Sequence, residues 1–183
     1  MTQSRPFTAA ANQPAPTPQD LGRQLLKAVG NGDTKTALSL IDRGAALDEK
    51  DNDGYTALIL AAWTGRTDIA RALIDKGAAL DEKDGLGRTA LILAALWGHT
   101  DIARALIDRG AALDEKDRYG KTALDYAQES NRADVAALLQ AEFARRAEKK
   151  RQQELDDYVL RETVLQRPLV VGRPLKIIPR KPQ

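Results

Sequence analysis

Histidine, cysteine and converging carboxylates build most metal and acid–base sites, and this chain offers them sparingly. Its single histidine is His99, and it contains no cysteine. One imidazole without thiolates or converging acids does not supply the three or four ligands a zinc site takes, so His99 reads as structural. Carboxylates recur in short runs such as Asp81-Glu82-Lys83-Asp84. Acid–base catalysis needs a cleft and separated pKa values, whereas acids beside a lysine at a turn are explained by solvation. The chain carries no glycine-rich phosphate loop, nucleophile elbow or paired-histidine metalloprotease helix. No catalytic, cofactor-binding or metal-ligating residue is therefore assigned, and neither a cofactor nor a small-molecule substrate is expected.

The aromatic side chains remain, and a repeat must position them. Residues 51–83 (DNDGYTALILAAWTGRTDIARALIDKGAALDEK) and 84–116 (DGLGRTALILAALWGHTDIARALIDRGAALDEK) are near-copies at a spacing of 33. Such a period marks a solenoid made by stacking one supersecondary unit. Within a unit, Asn52-Asp53-Gly54 tolerates positive φ and reads as a tight turn. Thr56 is placed to cap a short helix through Trp63, which Gly65 ends. A second helix is expected from about Thr67 to Lys76, with Asp68 and Lys76 matching the helix dipole and Gly77 at the left-handed exit. Helices this short require neighbours to hold them. Their apolar faces are Leu58, Ala61, Ile69, Ala70, Leu73 and Ile74, with Leu80 after the glycine. The small alanines allow close approach between units.

The pattern extends in both directions. Residues 117–141 keep Gly120, Thr122, Ala123, Leu124, Ala127, Val135, Leu138 and Leu139, but carry Asp125-Tyr126 and Asn131 where the central units have an apolar pair and a glycine. These changes suit an end unit with one face in water. Residues 21–50 repeat the second half of the unit without a preceding turn and read as an N-terminal cap. The first 20 residues lack apolar periodicity and are expected to be disordered.

These residues resemble the ankyrin repeat family. The resemblance runs through Gly54-Tyr55-Thr56-Ala57-Leu58, Leu60-Ala61-Ala62, Gly65, Asp68-Ile69, Leu73-Ile74 and Gly77-Ala78. It returns at Gly87, Thr89, Leu91, Leu93-Ala94-Ala95, Gly98-His99, Asp101-Ile102, Leu106-Ile107 and Gly110-Ala111. It covers about residues 21–141. Departures are Ala57, Ala90 and Ala123 at the family's proline, Ile59, Ile92 and Asp125 at its histidine, and Ala79 and Ala112 at its aspartate after Gly-Ala. Stability should therefore lean on apolar contact more than on polar links.

The resemblance implies an all-α solenoid of stacked helix-turn-helix units with hairpin-like connecting turns. It also implies a concave binding face made of turn tips and inner helices. On this sequence that face comprises Asn52, Asp53, Tyr55, Trp63 and Thr64, then Gly85, Leu86, Arg88, Leu96 and Trp97, then Arg118, Tyr119, Lys121, Gln128 and Glu129. The residues point the same way independently. The two central units differ mainly here, and the set holds both tryptophans and two of the four tyrosines. Aromatic residues near arginine are common anchors of a recognition surface, although Trp63 and Trp97 also fit a role as cover over helix ends.

Charge divides the chain. Residues 51–141 carry 11 Lys/Arg against 15 Asp/Glu, and residues 142–183 carry 11 against 6. The basic excess follows a helix-forming stretch, residues 142–166, with the cluster Arg145, Arg146, Lys149, Lys150 and Arg151 interrupted by Glu148. Such a cluster reads as solvated helix surface, or alternatively as a contact for an acidic partner, nucleic acid or an anionic membrane. No aromatic interleaving supports base stacking. Phe143 and Ala147 are expected to extend the last unit's packing, while Leu155, Tyr158, Val159 and Leu165 form a weak stripe. Residues 167–183 are proline-rich and read as an extended tail. The first 20 residues have no signal-like apolar core and no segment reaches a transmembrane length. A cytoplasmic, non-catalytic module binding a protein partner is the expectation.

Overall fold

The structure, a computed structural model, describes residues 15–165, with side chains through residue 161. Eight helices follow in order: α1 (Pro18–Gly30), α2 (Thr34–Asp42), α3 (Ala57–Thr64), α4 (Thr67–Asp75), α5 (Ala90–Trp97), α6 (Thr100–Asp108), α7 (Ala123–Glu129) and α8 (Ala133–Leu165). The chain divides into two compact units at Phe143 and Ala144.

In the first unit, inner helices α1, α3, α5 and α7 pack in sequence, and outer helices α2, α4 and α6 pack alongside. Their local causes repeat. Thr56 and Thr89 accept from the backbone amides of Ile59 (3.2 Å) and Ile92 (3.3 Å), capping α3 and α5. Thr122 caps α7 reciprocally with Asp125, whose carboxylate accepts from the Thr122 amide at 2.8 Å. Every residue from Ala57 to Ala62 and from Ala90 to Ala95 is buried. An inner helix is thus covered almost all round, as its uninterrupted apolar sequence requires. The outer helices are amphipathic and bury Ile69, Ala70, Leu73 and Ile74, with their copies one period later. Leu91 and Leu106 are among the side chains sealed from solvent, each contributing about 1.5–3 kcal/mol by burial.

Two expectations need correction here. The disorder expected through residue 20 does not hold at its end, because α1 begins at Pro18. Thr17 and Asp20 form a capping box there, with the Thr17 amide donating to the Asp20 carboxylate at 3.1 Å. Proline in the first helical turn has no amide to lose and a preset φ. The rest of that stretch, residues 1–14, lies outside the described residues. Lys76 is also not in the last turn of α4; it lies just beyond it and pairs with Asp42 of the preceding repeat at 3.1 Å.

One position per period shows how neighbouring repeats interlock. Asp33 caps α2 through the Thr36 amide at 3.0 Å. The equivalent residues Arg66 and His99 make no side-chain cap. Instead Arg66 lies against Gly32, His99 against Gly65, and Arg132 against Gly98. Gly65 has φ +70°, and a Cβ there would come within 2.5 Å of the His99 ring. Only glycine meets both the left-handed turn and the close approach. Where the last unit has no following repeat, Asn131 takes the position at φ 54°, a conformation asparagine tolerates.

The second unit begins at Ala144 and consists, among the described residues, of the remainder of α8. Residues 151–161 are all exposed. No helix of the described residues is long and apolar enough to cross a membrane.

Candidate recognition face

The three turn tips are built alike. Asp51 accepts through one oxygen from the Asp53 and Tyr55 amides, at 3.0 and 2.9 Å. Asp84 does the same for Leu86 and Arg88, and Asp117 for Tyr119 and Lys121. A short carboxylate satisfying two amides closes each turn, and a backbone bond across the turn, such as Asp84 N–H to Arg88 O at 3.0 Å, completes it. Successive tips are joined by backbone: Gly85 donates to Asp53 at 2.8 Å and Arg118 to Leu86 at 2.9 Å.

On this frame Asn52 and Asp53 are exposed at the first tip, Gly85 and Leu86 at the second, and Arg118 and Tyr119 at the third. Tyr119 is 70% exposed. At the far ends of the inner helices Trp63 and Trp97 are 42% and 48% exposed, while Leu96 is half-buried against the core. Thr64 is exposed and donates its hydroxyl to Leu60 O at 2.7 Å. Gln128 and Glu129 are exposed on the last inner helix.

The face is internally wired. Tyr55 stacks on Trp63 with ring centroids 5.6 Å apart and planes 10° from parallel. The Tyr55 hydroxyl accepts from Arg88 Nη2 at 2.9 Å, and Arg88 pairs with Asp84 at 2.7 Å. The Asp84 side chain is 1% exposed and that of Arg88 18%. Burial acts against the Arg88 charge, but the Asp84 carboxylate and the Tyr55 hydroxyl outweigh it and raise its pKa. One unit on, Lys121 pairs with Glu129 at 2.6 Å and lies 5.4 Å from the Tyr126 ring centroid. The Glu129 contact raises the Lys121 pKa. Tyr126 donates to Asp117 at 2.6 Å. Burial disfavours charge on Asp117, yet this bond and the two backbone amides hold its carboxyl below the ordinary range.

Sequence reasoning did not place Tyr126 or Asp84 on the face and named Glu129 without its pairing to Lys121, because these bonds within a unit depend on side-chain direction at the turn; only the Arg88 bond to Tyr55 depends on register between units. The acid–lysine runs need a stronger correction, since solvation does not account for them. Asp48 accepts from the Ala79 amide at 3.0 Å and Asp81 from the Ala112 amide at 2.9 Å. Lys50 reaches Glu82 (2.7 Å) and Lys83 O (3.0 Å); Lys83 reaches Glu115 (2.6 Å) and Lys116 O (3.2 Å). Each of these two runs is a strap to the next repeat, supplying polar links in the loop where Ala79 and Ala112 have no side-chain acceptor.

In the second unit, Arg151 pairs with Glu148 at 3.1 Å and Lys150 with Glu154 at 3.9 Å along the helix. Lys149 is exposed, Arg145 is exposed and Arg146 half-buried. Ala147, expected to pack, is exposed, whereas Phe143 at the end of the first unit packs against its core. Leu155, Tyr158 and Val159 are exposed, and the Leu165 side chain and the proline-rich residues 167–183 lie outside the described residues.

No group of histidine, cysteine and acid residues among the described residues is arranged to hold a metal ion. No curated protein matches the chain. Family models described as "Ankyrin repeats (many copies)" and "Ankyrin repeats (3 copies)" match residues 40–94 and 79–152. Ankyrin repeats are non-catalytic scaffolds whose typical work is protein–protein interaction. With its repeat register, threonine-capped inner helices and glycine exits all in place, the chain belongs to the ankyrin repeat family.

Proposed function

We propose that the chain is a non-catalytic recognition module that binds a protein partner through its turn tips and inner helices. The observation that carries this reading is the half-exposed pair Trp63 and Trp97. Trp63 is held by Tyr55, which Arg88 fixes in turn. An aromatic anchor kept in place before binding loses little side-chain freedom when a partner covers it. Tryptophan, tyrosine and arginine also dominate the few contacts that carry most interface energy. The surrounding Asn52, Asp53, Leu86, Arg118, Tyr119 and Gln128 would form the rim.

The test is a Trp63→Ala, Trp97→Ala variant of the full chain, used in affinity capture with partner identification beside the wild type. Each truncation should cost about 2 kcal/mol or more of binding while helical circular dichroism stays unchanged. Retained capture by a folded variant would remove this face from the reading. It would favour α8 instead, where removal of Arg145 onward should abolish capture.

A further inference from the structure

The charges on the three tips differ in a way the repeat does not dictate. At the first tip Asp51 and Asp53 are exposed, and the nearby Lys50 is neutralised by Glu82. The second tip presents Gly85 and Leu86, and its one acid, Asp84, is buried and matched by Arg88. At the third, Asp117 is buried and ionised but offset by the neighbouring exposed Lys116, and Lys121 is matched by Glu129. Arg118 is left exposed. Among the described residues neither the Asp53 carboxylate nor the Arg118 guanidinium has an ionic or hydrogen-bonding partner. The uncancelled charge therefore runs negative, neutral, positive along the tips.

We infer that the tips take an extended peptide segment of opposite polarity: a lysine or arginine over Asp53, an apolar side chain over Leu86, and an aspartate or glutamate over Arg118. This rests on the reading of the tip and inner-helix surface as the binding face. An open groove lined by Asp51, Asn52, Asp53, Tyr55 and Leu86, and by Lys50 held in its pair with Glu82, offers the cationic side chain its place. Packed helices stand about 8–10 Å apart, which is comparable with the Debye length of about 8 Å at physiological salt. Each tip's charge is then felt locally instead of being averaged, so the order of charges in the peptide matters. Two such steps, about 16–20 Å, are spanned by about five or six residues at about 3.3 Å each. Nucleic acid fits this face poorly, because its uniform negative charge meets Asp51 and Asp53.

The experiment is selection of a random-sequence peptide display library on the full chain. Enriched peptides are then measured by fluorescence anisotropy, each beside a copy with its basic and acidic residues exchanged. Enriched sequences should share a single order, basic-apolar-acidic or its reverse, because a bound backbone presents different amides and carbonyls to the tips in its two directions and one direction fits best. Exchange should weaken binding about tenfold, because it replaces two exposed ion pairs with two like-charge repulsions. An Asp53→Arg, Arg118→Asp variant should prefer the exchanged peptide. Enrichment without charge order, or the same preference in that variant, overturns the inference while leaving the binding face intact. Failure to enrich any peptide also overturns it. Peptides that bind the Trp63→Ala, Trp97→Ala variant undiminished would instead remove the binding face itself.

Discussion

Arg88 donates to the Tyr55 hydroxyl at 2.9 Å across one full repeat, while its other contact, Asp84, lies in its own turn. Tyr55 and Arg88 occupy the same register position in successive units. The difference between the two sequences at this position is thus a bond between them. Arg88→Ala leaves the nearly inaccessible Asp84 carboxylate without its cation. It should cost about 3 kcal/mol in urea unfolding, and less in an Asp84→Asn background. Tryptophan fluorescence should also report greater freedom of Trp63. An unaltered spectrum would show that the stack needs no support from Arg88.

Gly65 tests the interlock between repeats. Alanine there meets a left-handed backbone and the His99 ring together. The expected loss is about 2–3 kcal/mol. His99→Ala removes the second obstacle and leaves the first, so the double variant should recover about 1 kcal/mol relative to simple addition. Strict additivity in a double-mutant cycle would mean that the ring swings aside freely.

Ala61 is fully buried between inner helices. Ala61→Leu should overpack the stack and cost about 1–3 kcal/mol, read as a lower urea midpoint at constant slope. A neutral result would reveal slack between α3 and its neighbours.

The helices, caps and glycine exits were legible in the sequence because each is set within about ten residues. Thr56 at a cap, Gly65 at an exit and Leu58 on an apolar face are determined by local chain geometry. The straps were not legible. Asp48 and Lys50 look like a wet loop until the next repeat is placed beside them, since their partners, Ala79 and Glu82, lie about one repeat further along the chain. On the recognition face the same holds for Arg88, whose bond to Tyr55 spans one repeat. Its pairing with Asp84, and that of Lys121 with Glu129, lie within a unit and were not legible because spacing alone does not give side-chain direction at a turn. The start of α1 was missed for another reason. Thr17-Pro18-Gln19-Asp20 is a local helix signal embedded in a composition that reads as disordered.

The straps combine two kinds of bond that should respond differently. Asp81→Ala removes the acceptor of the Ala112 amide and should cost about 1 kcal/mol. Lys83→Met breaks a half-exposed ion pair with Glu115 and should cost about 0.5 kcal/mol. Added salt should shrink the second effect and leave most of the first, as read from urea midpoints at low and high ionic strength. Equal salt sensitivity would show that both act mainly through charge.

Tyr126 gives stability a pH dependence whose sign is fixed by its burial and its bond to Asp117. Burial and that hydrogen bond push the Tyr126 pKa up to about 12, against about 10 in an unfolded chain. A raised value means the contribution is fully present below about pH 10 and is lost as pH rises from about 10 to about 12. Asp117 behaves oppositely: its lowered pKa stabilises above about pH 3.9, and this contribution disappears as pH falls through the folded value. Tyr126→Phe should cost about 1–2 kcal/mol at neutral pH, where the donor meets a charged acceptor. The gap between wild type and variant in urea unfolding should narrow across the alkaline window, and narrow again in acid once Asp117 is protonated. A gap constant from about pH 7 to about pH 12 would falsify the assignment, because ring packing alone does not titrate. The bond closes the last turn from beneath while Arg118 and Tyr119 remain free above it. The variant should therefore lower stability without changing the order of charges selected by the tips.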